Sequence, residues 1–387
     1  MTSKTVNLTS KQTAVSRAVE GDTDPHYIFP AIRGMQAGRE YYSTMCSLRL
    51  IPKLFLYDEE ELPAELRSQR TLNKGRIPAI SRYLIDNPTD YIFSSITASI
   101  DGEVSFMPFG DGSKSKVGEL KIPMTARIII NDGQHRRAAI EQALKERSEL
   151  GFDTISVVFF VDGGLKRSQQ MFADLNQHAV RPSKSLGIYY DHRDTFSRFI
   201  VRLIGKVPVF KDRVERAKSS ISNRSVKFFT LSTVYQANRA LLGKTKVREK
   251  VTQEEEDIAT EYWTEVTNHI PEWKLLMQNK VSAFELRKDF IHAHGIALHA
   301  LGFAGHDLIA NHPVDWKKLL NRLDNINWAR SNSRIWEGKA TIGGAVSKSR
   351  TNLVLTSNFI KGTLGLPLTR GEQQVQAVYM QAQKENS

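Results

Sequence analysis

Six consecutive residues, Asp132-Gly133-Gln134-His135-Arg136-Arg137, place an acid, an amide, an imidazole and two guanidiniums in one short stretch. Asp132 and His135 are an acid and imidazole pair of the kind that serves general acid–base catalysis. Arg136 and Arg137 carry forked donors that match phosphate oxygens. The stretch therefore predicts an anion site or, if the protein is an enzyme, a catalytic turn built on Asp132 and His135. A merely polar turn is the open alternative.

The residues on either side predict a strand, a turn and a helix. Ile128, Ile129 and Ile130 are β-branched without polar alternation, which is typical of a strand buried on both faces. From Gln134 onward, apolar residues recur at helical spacing up to Leu144. Free N–H groups at a helix start favour anions. The candidate phosphate or nucleotide ligands here are Gly133, Gln134, Arg136 and Arg137.

Two further segments of the chain are predicted to be strands. Ile155 to Val161 predicts a further buried strand, so the order strand, helix, strand indicates a right-handed crossover between parallel strands. Short apolar runs around Pro52 predict another strand over residues 48–57.

A second polar cluster ends the helix predicted over Lys166 to Asn176. Asn176, Gln177 and Arg181 precede Pro182, and their side chains are of the types that a nucleotide or a backbone phosphate requires. The alternative is a simple helix end, with Asn176 as the C-cap and Pro182 as the stop. Both interpretations stay open.

The motif DGQHR, followed by Arg137-Ala138-Ala139, is the signature of DGQHR-domain proteins and is similar to the GERRxxA-type motif of ParB/sulfiredoxin-like domains. In those relatives the motif binds nucleotide phosphates. The resemblance therefore implies a nucleotide ligand, ATP or CTP with Mg²⁺. The leading Glu of the ParB motif is absent here, and the interval from Asn176 to Pro182 differs from the ParB pattern.

Composition and charge limit the classes of function that this protein can have. The chain has 387 residues, a net charge of +12 and a pI near 9.6, which favours a polyanionic partner such as nucleic acid. Its single cysteine, Cys46, excludes an internal disulfide and any Cys-cluster metal site. No apolar window reaches membrane-spanning length, and no signal peptide is recognisable, so we expect a cytoplasmic protein.

A segment rich in Lys, Arg, Ser and Asn over residues 206–227 predicts contacts with the DNA phosphate backbone, although such segments are usually solvated linkers. A helix over Leu231 to Leu242 has the pattern of a recognition helix in a helix-turn-helix, with ordinary packing as the alternative. The candidate DNA-binding residues are Lys211, Arg213, Arg216, Lys218, Arg224 and Arg239.

The C-terminal third shows helical spacing from Glu254 onward and contains His292, His294, His299 and His306. Two of these, His292 and His299, are seven residues apart, but no neighbouring acid completes a known metal spacing. We therefore expect structural histidines and no metal site.

The chain as a whole resembles DndB-type DGQHR-domain proteins of DNA phosphorothioation systems. The resemblance rests on DGQHRRAAI, on FADLNQHAVRPSKS, on the NWARSN and WEGKA segments, and on LTS and LGLPLT after them. It implies an α+β fold, in which a ParB/sulfiredoxin-like mixed α/β N-terminal domain precedes a mostly α-helical C-terminal region. It also implies a repressor that binds double-stranded DNA at the promoter of its own modification operon. The competing function is a ParB-like NTPase or DNA nickase in the same system.

These expectations divide the chain into four parts. They are a mobile arm over residues 1–25, a DGQHR domain over 26–190, a basic helical linker over 191–250 and a helical domain over 251–387. A homodimer would suit a palindromic operator.

Overall fold

The computed structural model describes residues 25–55, 74–110, 115–162, 170–171, 174–175, 182–246 and 249–385. The chain divides into two compact units, Met1–Val180 and Arg181–Ser387. The first contains a large sheet and the second is mostly helical, so the α+β class is confirmed. The arm expected over residues 1–25 lies outside the described residues, apart from Pro25.

Within the described part of the first unit, seven strands form one sheet in the order β4-β5-β1-β2-β7-β3-β6. All neighbours are antiparallel except β3 and β7, which are parallel. The strands are β1 (His26–Gln36), β2 (Arg39–Ser47), β3 (Ile96–Asp101), β4 (Ser105–Pro108), β5 (Val117–Pro123), β6 (Arg127–Asp132) and β7 (Thr154–Val161).

The helices given bounds in the described part of this unit are α1 (Ile51–Leu54), α2 (Ile77–Asp86) and α3 (Gln134–Glu146), with single 3₁₀ turns at Lys74–Arg76 and Ser148–Phe152. Helices α2 and α3 pack against each other. Ala139, Ile140 and Ala143 of α3 are fully buried, and the last two share a core with buried side chains of the strands. Burial of this apolar face fixes the rotation of α3 and hence the directions of its polar residues.

Two local predictions about this unit are wrong. The strand expected over residues 48–57 is a turn followed by α1, because Pro52 is accommodated in the first turn of a helix. The expected parallel crossover is absent from the described sheet. Strand β3 lies between β6 and β7, antiparallel to β6 and parallel to β7. Strands β6 and β7 therefore run in opposite directions.

The second unit has one large core that extends from Phe196 to Leu366. Its helices are α4 (Lys184–Tyr190), α5 (Thr195–Lys206), α6 (Leu231–Leu241), α7 (Gln253–Asn268), α8 (Pro271–Met277), α9 (Ala283–Asp289), α10 (Gly295–Asn311), α11 (Trp316–Leu319), α12 (Ser333–Trp336), α13 (Arg350–Leu364) and α14 (Arg370–Glu385), with 3₁₀ turns at Ile291–Ala293 and Leu320–Asn325. Two small two-stranded sheets are formed by β8 (Val214–Glu215) with β9 (Phe229–Thr230) and by β10 (Thr341–Ile342) with β11 (Ala345–Val346).

The linker expected over residues 191–250 is not a separate segment. Phe196, Phe199, Phe210 and Phe229 are buried in the same core as Trp263. Aromatic residues spaced between the cations therefore anchor this segment, and the second unit already includes α4, before the expected boundary at residue 190. Among the described residues, no helix combines the length and the hydropathy needed to cross a membrane.

Candidate functional site

The predicted turn lies at the end of the edge strand β6, next to the start of β3. Asp132 is opposite Thr97, and Gly133 follows with a φ of 115°, in the left-handed region. A Cβ atom at Gly133 would lie 3.0 Å from Cγ1 of Ile96, so glycine meets both the backbone and the space requirement. Helix α3 then begins without a side-chain hydrogen bond from its N-cap residue, Gly133.

Arg136 extends across the start of α3. Its Nη2 donates to Oδ2 of Asp132 at 2.7 Å and to the backbone carbonyl of Ser95 at 3.0 Å. Its Nε is buried and has no hydrogen-bond partner within the described structure. The guanidinium is thus held in place and keeps an unused donor, which is the arrangement that suits an anion at this turn.

His135 experiences a positive potential at the same turn. Burial lowers the pKa of His135, and the charges of Arg76 and Arg136 lower it further, whereas Asp132 raises it. Arg76 is exposed and comes from the 3₁₀ turn before α2. Sequence reasoning did not assign Arg76 to the turn, because 60 residues separate it from Arg136 and only long-range packing of α2 on α3 brings them together.

Arg137 differs from the prediction. It is 8% exposed, and its Nε donates to the carbonyl of Phe55 at 2.9 Å, its Nη1 to Glu141 at 2.7 Å and its Nη2 to the carbonyl of Pro52 at 3.3 Å. Its donors therefore attach α3 to α1 and to Phe55, the residue that follows α1, and we remove Arg137 from the candidate phosphate ligands. The Gln134 amide nitrogen donates to the carbonyl of Ile130 at 3.1 Å and closes the turn.

The other predicted members of this site are only partly placed by the structure. Asn176, Gln177 and Arg181 lie outside the described residues. Asp132 and His135 interact electrostatically at one turn, as an acid–base pair would. Among the described residues, no group of three His, Cys, Asp or Glu side chains is arranged to hold a metal ion.

The basic segment of the second unit presents four of the six predicted DNA-binding cations to solvent. Lys211, Arg216, Lys218 and Arg224 are exposed, and the guanidinium of Arg216 lies 5.5 Å from the centre of the Tyr189 ring. Arg213 is half-buried, with long hydrogen bonds of 3.4 Å to the carbonyls of Lys211 and Leu276.

Arg239 and its helix differ from the expected recognition helix. Most of α6 is buried, including Tyr235, and α6 packs along α10. Arg239 donates to the carbonyls of Lys244 and Lys246, at distances of 2.9 to 3.2 Å, and so fixes the segment that follows the helix. Helix α6 is therefore a packing helix, and its apolar face is occupied by the core.

Internal hydrogen bonds hold the basic segment in a defined conformation. Arg287 of α9 donates to the carbonyls of Ser222, Asn223, Ser225 and Lys227. The carboxylate of Glu215 accepts from the backbone N–H groups of Ala217 and Lys218 at 2.9 and 3.1 Å. The exposed cations are consequently presented by an ordered backbone.

Of the clustered histidines, His292 is in the core, His294 and His299 are half-buried, and His306 is exposed. Trp273 donates from Nε1 to Nδ1 of His292 at 3.0 Å, and Nε2 of His292 lies 3.3 Å from the Glu272 carboxylate. Burial lowers the pKa of His294 and of His299 to about 4. His306 lies beside the carbonyl of Leu241.

Comparison with known proteins gives one family. The model of the DndB family, described as DNA-sulfur modification-associated, matches residues 29–367. No curated protein and no solved structure matches the chain. The likeness of the first unit to ParB therefore stays a prediction. Because the match covers most of the sequence, the chain belongs to the DndB family of DNA-sulfur modification-associated proteins.

Proposed function

We propose that this protein is a DNA-binding repressor of a DNA phosphorothioate-modification gene cluster, acting in the cytoplasm on the promoter of its own operon. The observation that carries the proposal is the ordered basic segment of a DNA-sulfur modification-associated chain, in which Lys211, Arg216, Lys218 and Arg224 are exposed. Cations held on a fixed backbone lose little conformational entropy when they meet phosphates. Double-stranded DNA supplies such phosphates at regular spacing.

We further propose that the turn before α3 holds a nucleotide phosphate, with ATP or CTP and Mg²⁺ as the candidates. Supporting features are the uncapped start of α3, the unused Nε donor of Arg136 and the two guanidiniums that lower the pKa of His135. Arg136 would exchange its hydrogen bond to Asp132 for a hydrogen bond to the phosphate. Bound nucleotide would then be positioned to regulate the repressor.

Salt dependence tests DNA binding. Affinity for promoter DNA should fall steeply as salt rises, with a slope on logarithmic axes of about 0.9 for each phosphate contact. Replacing Lys211, Arg216, Lys218 and Arg224 by Ala should reduce the slope by up to about 3.6, which is four times that increment. The matched control changes four other exposed cations with the same total charge: Lys145, Lys318, Arg350 and Arg370. Equal slopes in the two variants would place the DNA surface elsewhere.

A second candidate function is nucleotide hydrolysis or DNA nicking in the same system. It is favoured by one observation, the electrostatic interaction of Asp132 with His135 at the turn. Release of phosphate from ATP or CTP, and conversion of supercoiled plasmid to open circles, would each report it. Loss of such turnover in Asp132→Asn, with DNA affinity retained, would establish the enzymatic function.

A further inference from the structure

A cavity of about 600 Å³ lies in the second unit, where helices α6 and α10 begin beside α9. This size is within the range of small-molecule sites. No acidic side chain is among the described residues that line it. Its polar lining includes Thr233, Arg287, Lys288, His294 and Arg330.

The cations around this cavity differ in how they are used. Arg287 is engaged with loop carbonyls, and Arg330 donates from Nε and Nη2 to the carbonyl of Gly344, so both are fixed in position. Lys288 is exposed, and within the described structure neither the hydrogen bonds nor the ion pairs of the second unit involve its amine. Two fixed guanidiniums and one free ammonium group create a positive potential in the cavity. An anion could bind the Lys288 ammonium without breaking the hydrogen bonds of the two arginines.

His294 and Gly295, at the start of α10, line the cavity. His294 is the N-cap residue but makes no side-chain cap bond, and its Nε2 is buried without a hydrogen-bond partner. A Cβ atom at Gly295 would lie 3.0 Å from Cγ2 of Thr233 and 3.6 Å from Nζ of Lys348. Glycine here keeps the first turn of α10 close to the Thr233 hydroxyl and to a further cation, as phosphate binding requires.

An aromatic ring lies beside these donors. Phe284 is 42% exposed and lines this cavity as well as a neighbouring one that contains Arg213, Arg224 and Lys280. An exposed ring between basic side chains is a platform on which a base can stack, and such stacking is tolerant of sequence.

We propose that this cavity binds a nucleoside phosphate, with the phosphate beside Lys288, His294 and the start of α10 and the base against Phe284. The ligand is either a free nucleotide or a nucleotide within a DNA strand, since both offer the same chemistry. The site is separate from the turn before α3, and the inference does not depend on the proposed regulatory function.

Tryptophan fluorescence can report on ligand binding in the second unit, and the cavity variants assign the response to this site. All five tryptophans of the chain lie in the second unit, and Trp273 contacts Phe228 and Phe229, which line the cavity. The full-length protein is titrated with ATP and, separately, with a short single-stranded oligonucleotide. Variants Lys288→Ala and Phe284→Ala change exposed side chains, and circular dichroism confirms that they are folded.

Matched controls are Lys318→Ala and Phe303→Ala, which change an exposed lysine and a Phe that is 41% exposed. We expect a saturable change in the wild type and about tenfold weaker binding in each cavity variant, with both controls and Arg136→Ala unchanged. A response to ATP identifies a free nucleotide as the ligand, and a response to the oligonucleotide alone identifies a DNA strand. Absence of any saturable response, equal affinity in the cavity and control variants, or loss of the response in Arg136→Ala would overturn the proposal.

Discussion

The two adjacent arginines of the DGQHRR turn should respond to mutation in opposite ways. In the ligand-bound protein, Arg136 would make a charge-assisted hydrogen bond that contributes about 1.5–3 kcal/mol. Part of this is offset, because Arg136 must leave Asp132, whose side chain is 44% exposed and whose ion pair is therefore worth about 0–1 kcal/mol. The net loss in Arg136→Ala is about 1–2 kcal/mol, or about five- to thirtyfold in nucleotide affinity, with little change in stability.

Arg137→Ala should behave differently because Arg137 is buried. Its removal deprives the carbonyls of Pro52 and Phe55 and the carboxylate of Glu141 of their donor. Loss of such contacts costs about 2–4 kcal/mol of unfolding free energy. The nucleotide affinity of the protein that remains folded should stay within about twofold of the wild type, since a loss of contacts away from the ligand costs little binding energy.

Paired measurements test this reasoning. ATP and CTP are titrated, with and without Mg²⁺, against the wild type and both variants, and urea unfolding is followed by circular dichroism. Equal nucleotide affinity in the wild type and Arg136→Ala would reduce the turn to a structural element. A stable Arg137→Ala protein that has lost nucleotide binding would show that the two roles are assigned the wrong way round.

Three further perturbations have defined outcomes. Asp132→Asn should tighten nucleotide binding by about threefold, because it releases Arg136 from a weak ion pair; in calorimetric titrations, weaker binding would make Asp132 a ligand instead of a competitor. Because the pKa values of His294 and His299 fall from 6.5 to about 4 on folding, the unfolded chain takes up protons first as the pH decreases. The free energy of unfolding should therefore be at its full value above pH 6.5 and decline towards pH 4, by up to about 3 kcal/mol per histidine. Urea unfolding across this pH range should show a smaller decline in His299→Phe than in the wild type. An equal decline in the two proteins would contradict the linkage. His292→Ala should destabilise the protein by about 3 kcal/mol without changing its metal content; elemental analysis of untagged protein that found stoichiometric metal, lost in this variant, would identify a ligand.

The strand, turn and helix around the DGQHRR motif could be predicted from the sequence. Which of its two arginines faces the turn could not. Strand β6 ends at Asp132 and α3 begins at Gln134, as the change from β-branched residues to helical spacing indicates. Consecutive helical residues point about 100° apart, so only one of two adjacent arginines can face the turn. Which one does so depends on the rotation of α3, and that rotation is set by its packing against α2 and α1.

Sheet order is also a non-local property. The apolar runs of β6 and β7 identify two strands, but β3 pairs with both of them and prevents the crossover that the intervening helix indicates. In the second unit, by contrast, the sequence did hold a signal. Phe210 lies between Lys206 and Lys211, and Phe228 and Phe229 directly follow the basic segment. Large apolar residues at such positions indicate an anchored segment more than a solvated linker.

The anchoring of the basic segment affects the entropy cost of the proposed DNA binding. A mobile basic tail would lose backbone entropy of about 1–2 kcal/mol for each residue that becomes ordered on DNA. Here the carbonyls of Ser222, Asn223, Ser225 and Lys227 already accept hydrogen bonds from Arg287. The Glu215 carboxylate already accepts from the backbone N–H groups of Ala217 and Lys218. If the protein binds DNA as proposed, this ordering precedes binding, and more of the electrostatic attraction would remain as affinity. The same fixed loop borders the cavity beside Phe284, so a nucleotide bound there would contact the backbone that presents the cations.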